Sequence, residues 1–236
     1  MARRSKDRLM VPHQGVEHVE LRLDEPESGD ARGIFVLAHG SGAPLDSAFL
    51  EAIAPMIADT ARLCVLRFNY GYAELMRRSG KPRPPEKRST LEAVHREALR
   101  HAHSAFPDLP LIAGGKSLGG RISSLMVAEG SAPDVRALIF LGYPLHPQGK
   151  PERRRSDHFG DLSVPMLFLQ GTRDALCRLE LLEEEWPKLP AAKATLHKVE
   201  GGDHSFDVLK KSGRKPEDVR AEIAAIVAEW TGTTLG

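Results

Sequence analysis

Five short apolar runs, spaced along the chain, limit the possible folds more than any other feature of the sequence. Each run consists of four or five hydrophobic residues in succession: residues 34–38, 63–66, 109–113, 137–141 and 165–169. Continuous hydrophobicity is typical of strands that are covered on both faces, as in parallel sheets, whereas half-exposed strands alternate. We therefore expect a sheet whose central strands are wholly buried.

Longer amphipathic segments separate these runs and predict helices. They cover residues 47–61, 91–105, 118–129, 175–186 and 216–230. Ser89 and Thr90 offer an N-cap for the second helix, and Pro216 suits the first turn of the last one. Further strands are predicted from Val16 to Leu23 and from Ala194 to Val199. This alternation predicts an α/β fold with a doubly wound, mostly parallel sheet.

Length and composition fit one globular unit. A chain of 236 residues can bury a single sizeable core. We expect a flexible tail over residues 1–15 and one α/β domain over residues 16–236. The 41% hydrophobic and 28% charged residues are ordinary for a soluble protein.

Charge and hydropathy make several partners and compartments poor candidates. The net charge of +1 provides no electrostatic case for nucleic acid. No segment approaches the roughly 20 apolar residues that span a bilayer, and no apolar segment follows the basic N-terminus as in a secretory signal. Cys64 and Cys177 lack metal-ligand spacing, and nothing requires a disulfide. These features predict a cytoplasmic protein without nucleic-acid or membrane partners, and they leave the oligomeric state open.

The segment after the third apolar run carries the clearest chemical motif. Residues Gly115–Gly119 read G-K-S-L-G and fit G-x-S-x-G, with a predicted strand before and a helix after. In that context the serine occupies a sharp turn that exposes its hydroxyl, and small residues on both sides let strand and helix approach. Ser117 is the predicted nucleophile. The N–H of Leu118, at the helix N-terminus, is the first predicted oxyanion donor.

Two glycine-rich segments resemble nucleotide-binding loops but lack a required residue. Gly115-Lys116-Ser117 copies the end of a Walker A motif, yet Pro110 stands where that motif needs glycine. The segment that begins at His39 resembles G-x-G-x-x-G, yet Leu45 replaces the third glycine. Nucleotide binding is therefore disfavoured.

A serine hydroxyl needs a base to take its proton and an acid to orient that base. Asp174 follows the strand predicted over 165–169, and His204 follows the last strand in a glycine-rich loop. The chain order Ser, Asp, His is that of α/β-hydrolases. Asp174 could instead cap a turn, and His204 could be a solvent-exposed loop residue. Asp161 and Asp203 are rival acids, but Asp203 adjoins the histidine that it would have to orient.

Further site residues are expected where two other strands end. The N–H of Ser41, after the strand 34–38, is the predicted second oxyanion donor, with Gly42 beside it at the substrate. Arg67 and Asn69 leave the strand over 63–66, and we expect them to reach the rim of the site and contact substrate. Six arginines in two polar loops could attract an anionic substrate, although a solvated surface is the plainer interpretation: Arg77, Arg78, Arg83, Arg153, Arg154 and Arg155.

The motifs together resemble a known family. They are residues 39–43, 67–70, 81–85, 114–120, 170–174 and 201–204. The sequence resembles small, cap-less α/β-hydrolases related to dienelactone hydrolase, in particular a bacterial branch with eukaryotic relatives. Those relatives include a testis-expressed protein and a subunit of a chromatin acetyltransferase complex. The resemblance implies the hydrolase fold and the triad but no substrate. Ser117 stands where dienelactone hydrolase uses cysteine, so that enzyme's activity does not carry over.

The resulting hypothesis is hydrolysis of an ester, thioester or related acyl bond of a small molecule through an acyl-enzyme on Ser117. It requires no metal and no organic cofactor. Peptidase and acyltransferase activities remain open, because fold does not determine substrate. A different class also remains: an interaction module with the hydrolase fold whose triad is unused or vestigial.

Overall fold

A single eight-stranded sheet forms the centre of the computed structural model, which describes residues 2–190 and 193–235. Its strands are β1 (Arg3–His13), β2 (Val16–Glu25), β3 (Gly33–Ala38), β4 (Leu63–Phe68), β5 (Leu111–Lys116), β6 (Val135–Leu141), β7 (Met166–Gly171) and β8 (Ala194–Val199). Their order is β1-β2-β4-β3-β5-β6-β7-β8. The two pairings of β2 are antiparallel, and all the others are parallel.

Helices cover both faces of the sheet. They are α1 (Ala48–Ala61), α2 (Gly71–Ser79), α3 (Arg88–Ala105), α4 (Leu118–Ala128), α5 (Leu179–Glu185) and α6 (Pro216–Thr234). Helices α1 and α6 pack on one face, and α3 and α4 pack on the other. Successive residues of β3 show the division, because Ile34 and Val36 join one core whereas Phe35 and Leu37 join the other. The predicted doubly wound, mostly parallel sheet is confirmed.

Several predicted boundaries are wrong by a few residues. Strand β5 begins at Leu111, after Pro110, whose carbonyl accepts the N–H of Ile34. Helix α3 already begins at Arg88, so the two predicted capping residues lie inside it. Helix α5 begins only at Leu179, because the N–H of Leu176 bonds the Asp174 carboxylate in a turn. Helix α2 was not predicted, since the charges of its second half suggested a loop.

The predicted flexible tail is also wrong for most of its length. Residues Arg3–His13 form β1, which pairs antiparallel with β2. Leu9 and Val11 alternate with exposed residues and are buried, and Gly15 adopts a φ of +91° in the turn between the strands. The charged side chains misled the prediction, although an edge strand tolerates such charges well because one of its edges faces solvent.

The carboxyl end of the sheet carries no separate cap. Residues 142–165, between β6 and β7, contain only one short 3₁₀ helix, Phe159–Asp161. This agrees with the cap-less hydrolases that the sequence resembles. None of the helices in the described part of the chain is long and apolar enough to cross a membrane.

Glycines let β3, β5 and α4 approach one another more closely than side chains would permit. Gly115 has a φ of +146°, and a Cβ there would overlap the carbonyl oxygen of Ala38 on β3. A Cβ on Gly119, in the first turn of α4, would lie 2.5 Å from the same oxygen. The small residues predicted on both sides of Ser117 are therefore a steric requirement of the fold.

The substitution Gly115→Ala tests this requirement against Gly130→Ala. Gly130 also has a positive φ, of +68°, but open space surrounds its Cα. We expect Gly130→Ala to lower the free energy of unfolding by about 1–2 kcal/mol, the cost of a left-handed conformation. Gly115→Ala should cost more than about 4 kcal/mol, because backbone must also move. Equal costs in urea titrations would contradict the steric explanation.

Candidate active site

Ser117 lies on a sharp bend between β5 and α4. Its backbone adopts a φ of 50° and a ψ of −110°, which is strained for a residue with a side chain. The N–H of Ser117 donates to the carbonyl of Leu141 at 3.2 Å, and its own carbonyl accepts the N–H of Arg121 at 3.1 Å. These bonds fix the bend at both ends and leave the hydroxyl at the carboxyl edge of the sheet.

The three side chains predicted to form a triad lie together. His204 Nε2 is 2.8 Å from Ser117 Oγ, and His204 Nδ1 is 2.7 Å from Asp174 Oδ2. The residues reach this point from the ends of β5, β7 and β8, which are parallel strands on one side of the sheet. The His204 side chain is 24% exposed, so solvent and a small molecule can reach it.

Asp174 is held as a fully bonded, buried carboxylate. Its side chain is inaccessible to solvent. Oδ1 accepts the N–H of Leu176 at 2.7 Å, and Oδ2 accepts Gln170 Nε2 at 2.6 Å besides His204. The alternative role of Asp174 in a turn is thus also present. Because Asp174 Oδ2 accepts from Nδ1–H, the proton of neutral His204 is held there, and Nε2 is free to accept the hydroxyl proton.

Two backbone segments lie beside Ser117, namely the first turn of α4 and the loop after β3. Leu118 is the first residue of α4, where N–H groups have no intrahelical partner. A Cβ on Gly40 would lie 3.6 Å from Ser117 Cβ, so the loop after β3 passes beside the bend. The N–H of Ala43 donates to the carbonyl of Gly40 and closes a four-residue turn. Gly42, the third residue of this turn, has a φ of +74°.

His39 orients the peptide that carries the N–H of Ser41. Its Nε2 accepts the N–H of Tyr70 at 3.1 Å, so the ring proton is on Nδ1, which is 2.7 Å from the carbonyl oxygen of Gly40. The Tyr72 hydroxyl donates to the same oxygen at 3.4 Å. In a trans peptide the N–H points opposite to the carbonyl, so the N–H of Ser41 points away from His39. Ser41 and Gly42 are exposed at the mouth of this region.

Arg67 does not reach the rim of the site, contrary to the prediction. It is fully buried, and its guanidinium pairs with Asp24 at 2.7 Å and Glu51 at 2.7 Å and donates to the carbonyl of Leu45. The pairing of β2 with β4 brings Asp24 close to Arg67, so the two terminal nitrogens of the guanidinium are bonded within the protein. The substrate-binding role assigned to Arg67 is therefore wrong.

The side chain of Asn69 is also hydrogen-bonded within the protein and does not reach the rim of the site. It is fully buried, its Oδ1 accepts the N–H of Leu45 at 2.9 Å, and its Nδ2 donates to Glu74 at 3.1 Å. Asn69 binds the N–H of Leu45 and Arg67 binds its carbonyl, so both backbone groups of Leu45 are hydrogen-bonded. Leu45 belongs to the loop that carries Ser41 and Gly42. Both residues thus hold this loop from below and do not face a substrate.

Three of the six arginines assigned to polar loops pair with carboxylates, and two of these three lie in α2. Arg77 pairs with Glu20 at 2.6 Å, Arg78 pairs with Glu74 at 3.4 Å, and Arg154 pairs with Glu184 at 3.0 Å. These pairs favour the interpretation of a solvated charged surface. Cys64 and Cys177 are both buried as free thiols, and burial raises the pKa of Cys64 to about 11.

Three residues near the triad were missed as functional candidates. Gln170 bridges Asp174 to the N–H of Tyr143, and a polar residue at the end of an apolar strand was the available signal. His39 was noted only as the start of a glycine-rich segment. Lys116 was read only as part of the serine motif, yet its ammonium binds the carbonyl of His204. The rival acid Asp203 accepts the N–H groups of Ser205 and Asp207 and so shapes its own loop.

Comparison with known proteins establishes the family and the fold of the chain. Residues 31–232 match the α/β hydrolase domain family, so the chain belongs to that family. The structure is similar to dienelactone hydrolase from Anabaena variabilis, with 20% identity, a TM-score of 0.73, and coverage of 100% of this chain and 99% of that chain.

Two further solved structures are similar over almost their whole length. The esterase domain of a Rhodothermus marinus protein has 17% identity and a TM-score of 0.70, covering 99% of this chain and 100% of that one. An α/β serine hydrolase without a lid from Xanthomonas campestris has 17% identity and a TM-score of 0.69, covering 96% and 94%. At such identities the similarity establishes the fold, which is an α/β-hydrolase fold without a cap domain.

The substitution Arg67→Met tests whether Arg67 is structural. It removes the fully buried cation between Asp24 and Glu51 and leaves them only Arg4 and Arg22 as partners. We expect the free energy of unfolding to fall by about 3 kcal/mol in urea titrations. The control Arg100→Met removes an exposed pair with Glu97 and should cost less than about 1 kcal/mol. A variant of unchanged stability that binds substrate more weakly would restore the original prediction.

The buried His39 predicts a loss of stability in acid. Burial lowers its pKa from 6.5 to about 4, against the opposing effects of the Gly40 carbonyl and Asp46. Folding therefore favours the neutral ring. This stabilisation is complete above pH 6.5 and is lost as the pH falls to about 4, with a total of roughly 3 kcal/mol.

The variant His39→Gln should show a shallower decline of unfolding free energy between pH 6.5 and 4 than the wild type. The exposed His103→Gln should show the wild-type slope, because its ring has no buried environment to lose. Parallel slopes for wild type and His39→Gln would refute the assignment of this acid effect to His39.

Proposed function

We propose that this protein is a serine hydrolase that cleaves an ester, thioester or related acyl bond of a small molecule through an acyl-enzyme on Ser117. The observation that carries the proposal is the pair of contacts made by His204. One ring nitrogen is 2.8 Å from the Ser117 hydroxyl, and the other is 2.7 Å from the buried Asp174 carboxylate. A hydroxyl, a base and an orienting acid within hydrogen-bond reach are the requirement for acyl transfer.

The proposed reaction begins when Ser117 Oγ attacks the acyl carbon as His204 Nε2 takes the hydroxyl proton. Negative charge develops on the former carbonyl oxygen, and the N–H groups of Leu118 and Ser41 are the proposed donors to it. The intermediate collapses, the bond to the leaving group breaks, and His204 returns the proton to that group. Asp174 stabilises the imidazolium that exists between these two transfers.

Deacylation repeats the sequence with water. His204 takes a proton from a water molecule that attacks the acyl carbon, and Ser117 leaves with the proton that His204 then returns. The open carboxyl end of the sheet supports direct entry of substrate and water, since residues 142–165 form no cap domain. Gly42 lies at this mouth and remains our proposal for a substrate contact.

An ester or thioester is a better proposed substrate than a peptide. A similar structure, from a Rhodothermus marinus protein, is that of an esterase domain. The family membership and the similarity to an esterase domain and to a serine hydrolase support the general class. The relation to the testis-expressed protein and the acetyltransferase subunit remains a prediction from the motifs.

The alternative, an interaction module with an unused triad, predicts that nothing is turned over. The strained backbone of Ser117 weighs against it, because such strain persists only where the surroundings enforce it and it is common at functional sites. The hydrogen bonds of His204 to Ser117 and Asp174 also weigh against an unused triad. The experiment below distinguishes the two functions.

Labelling with a fluorophosphonate, followed by peptide mapping, should modify Ser117 in the folded protein. With p-nitrophenyl esters and thioesters of short acids, Ser117→Ala should lower turnover by a factor on the order of 10⁶, since the nucleophile is lost. The control Ser205→Ala removes an exposed hydroxyl next to His204 and should leave turnover near the wild-type value. Absence of labelling at Ser117, with no turnover of any substrate in the panel, would favour the interaction module.

A further inference from the structure

A partly buried cation lies next to the proposed triad and has no part in the proposed reaction. Lys116 is the last residue of β5 and directly precedes Ser117. Its ammonium donates to the backbone carbonyl of His204 and lies 5.4 Å from the centroid of the Phe206 ring. Both partners belong to the loop after β8, so one side chain of the strand that carries the serine binds the loop that carries the histidine.

Three polar atoms of this region surround one point above Gly142. A Cβ on Gly142 would be 3.0 Å from Lys116 Nζ, 3.5 Å from the His204 carbonyl oxygen and 3.6 Å from Asp174 Oδ2. Gly142 has a φ of +72°, which suits glycine and keeps this space free of a side chain. The ammonium is therefore close both to the backbone of His204 and to the carboxylate that orients the His204 ring.

The charge of Lys116 is costly where it lies. Burial lowers the pKa of Lys116 to about 8, although the nearby carboxylates of Asp174 and Asp203 partly oppose that shift. An apolar side chain of similar length would fill the same space without removing a cation from water. The cost of this charge must therefore be offset by its partners, which are the His204 carbonyl and the Phe206 ring.

The loop that Lys116 binds needs such a restraint. Phe206 adopts a φ of +65°, which is uncommon for a residue with a side chain, and its ring stacks on Phe49 with centroids 5.6 Å apart. His204 follows two glycines, Gly201 and Gly202, which add conformational freedom to the loop. A charge-assisted hydrogen bond to the His204 carbonyl is among the stronger restraints available to a backbone group.

We propose that Lys116 is a positioning residue: as an ammonium it holds the backbone of His204, so that the imidazole stays between Asp174 and Ser117. This inference rests on the proposed function of the same site. Loss of the Lys116 proton weakens the bond to the carbonyl, and catalysis is expected to decline as the ammonium titrates. The groups that face this ammonium are Asp174, Asp203, the His204 carbonyl and the Phe206 ring.

Kinetics of Lys116→Met and Lys116→Arg test the positioning role. Because a displacement of about 1 Å can cost 10²-fold, we expect Lys116→Met to lower kcat by about 10–100-fold with little change in KM. The wild type should lose activity above about pH 8, and Lys116→Met should lack this alkaline decline. Lys116→Arg, which stays charged, should recover part of kcat and move the decline to higher pH. Lys211→Met, an exposed lysine in the loop after His204, is the control for the loss of one charge.

Each kcat is calculated per molecule that a fluorophosphonate labels. Misfolded protein is thereby excluded and cannot be mistaken for a catalytic defect. A Lys116→Met variant with wild-type kcat per labelled serine and a wild-type pH profile would overturn the proposal. If Lys116→Met fails to fold, the wild type and Lys116→Arg still decide it. The same alkaline decline in both, or no decline in the wild type up to pH 10, would contradict the role of the ammonium.

A spectroscopic readout separates this proposal from the proposed function. The proton shared by His204 and Asp174 should give a downfield ¹H resonance that is absent in His204→Gln. We expect the resonance to broaden or vanish in Lys116→Met and to persist in Lys116→Arg and Lys211→Met. A resonance that responds in this way in a protein that no fluorophosphonate labels would refute the hydrolase function and leave the positioning role intact. An unaltered resonance in folded Lys116→Met would refute the positioning role alone.

Discussion

The close approach of three backbone segments at the end of β5 is the constraint on which the rest of the site depends. Gly115 and Gly119 both face the carbonyl oxygen of Ala38, and side chains there would separate β3, β5 and α4. With these segments together, Ser117 has no relaxed conformation available and is held at a φ of 50°. The same geometry brings the first N–H of α4 and the loop after β3 beside the hydroxyl. Packing of backbone against backbone thus creates the strain and the polar surroundings together.

The polar groups around this bend form two supports that meet at Ser117. On one side Arg67, Asn69 and His39 bind the backbone of residues 40–45 and hold the loop with the proposed oxyanion donor. On the other side Gln170 and Lys116 bind Asp174 and the His204 loop. Each of these five side chains is buried or partly buried and bonded within the protein. Burying these polar side chains costs free energy, but their hydrogen bonds fix the arrangement of the reacting groups. Preorganised catalysis requires such a fixed arrangement.

Much of the fold and the central residues of the site could be predicted from the sequence because both depend on local patterns. The uninterrupted apolar runs predicted the buried strands, and glycines two residues before and after Ser117 predicted the bend. Asp174 and His204 were found from chain order and from their positions after strands. Boundaries were less accurate where a side chain redirects the backbone, as at Asp174 before α5. The charged first strand was missed, because its pairing with β2 is what makes Leu9 and Val11 buried.

The sequence by itself determined the fold class, the bend at Ser117 and the candidate triad, because hydrophobic periodicity and the steric demands of glycine act over a few neighbouring residues. Only the tertiary structure decided the tasks of Arg67, Asn69, His39 and Lys116. Arg67 is buried because β2 lies beside β4 and brings Asp24 to it. Lys116 binds His204 because the loop after β8 passes over the ends of β7 and β6 and reaches the end of β5. A polar side chain has the same chemistry wherever it lies, and its role follows from partners that are distant in the chain.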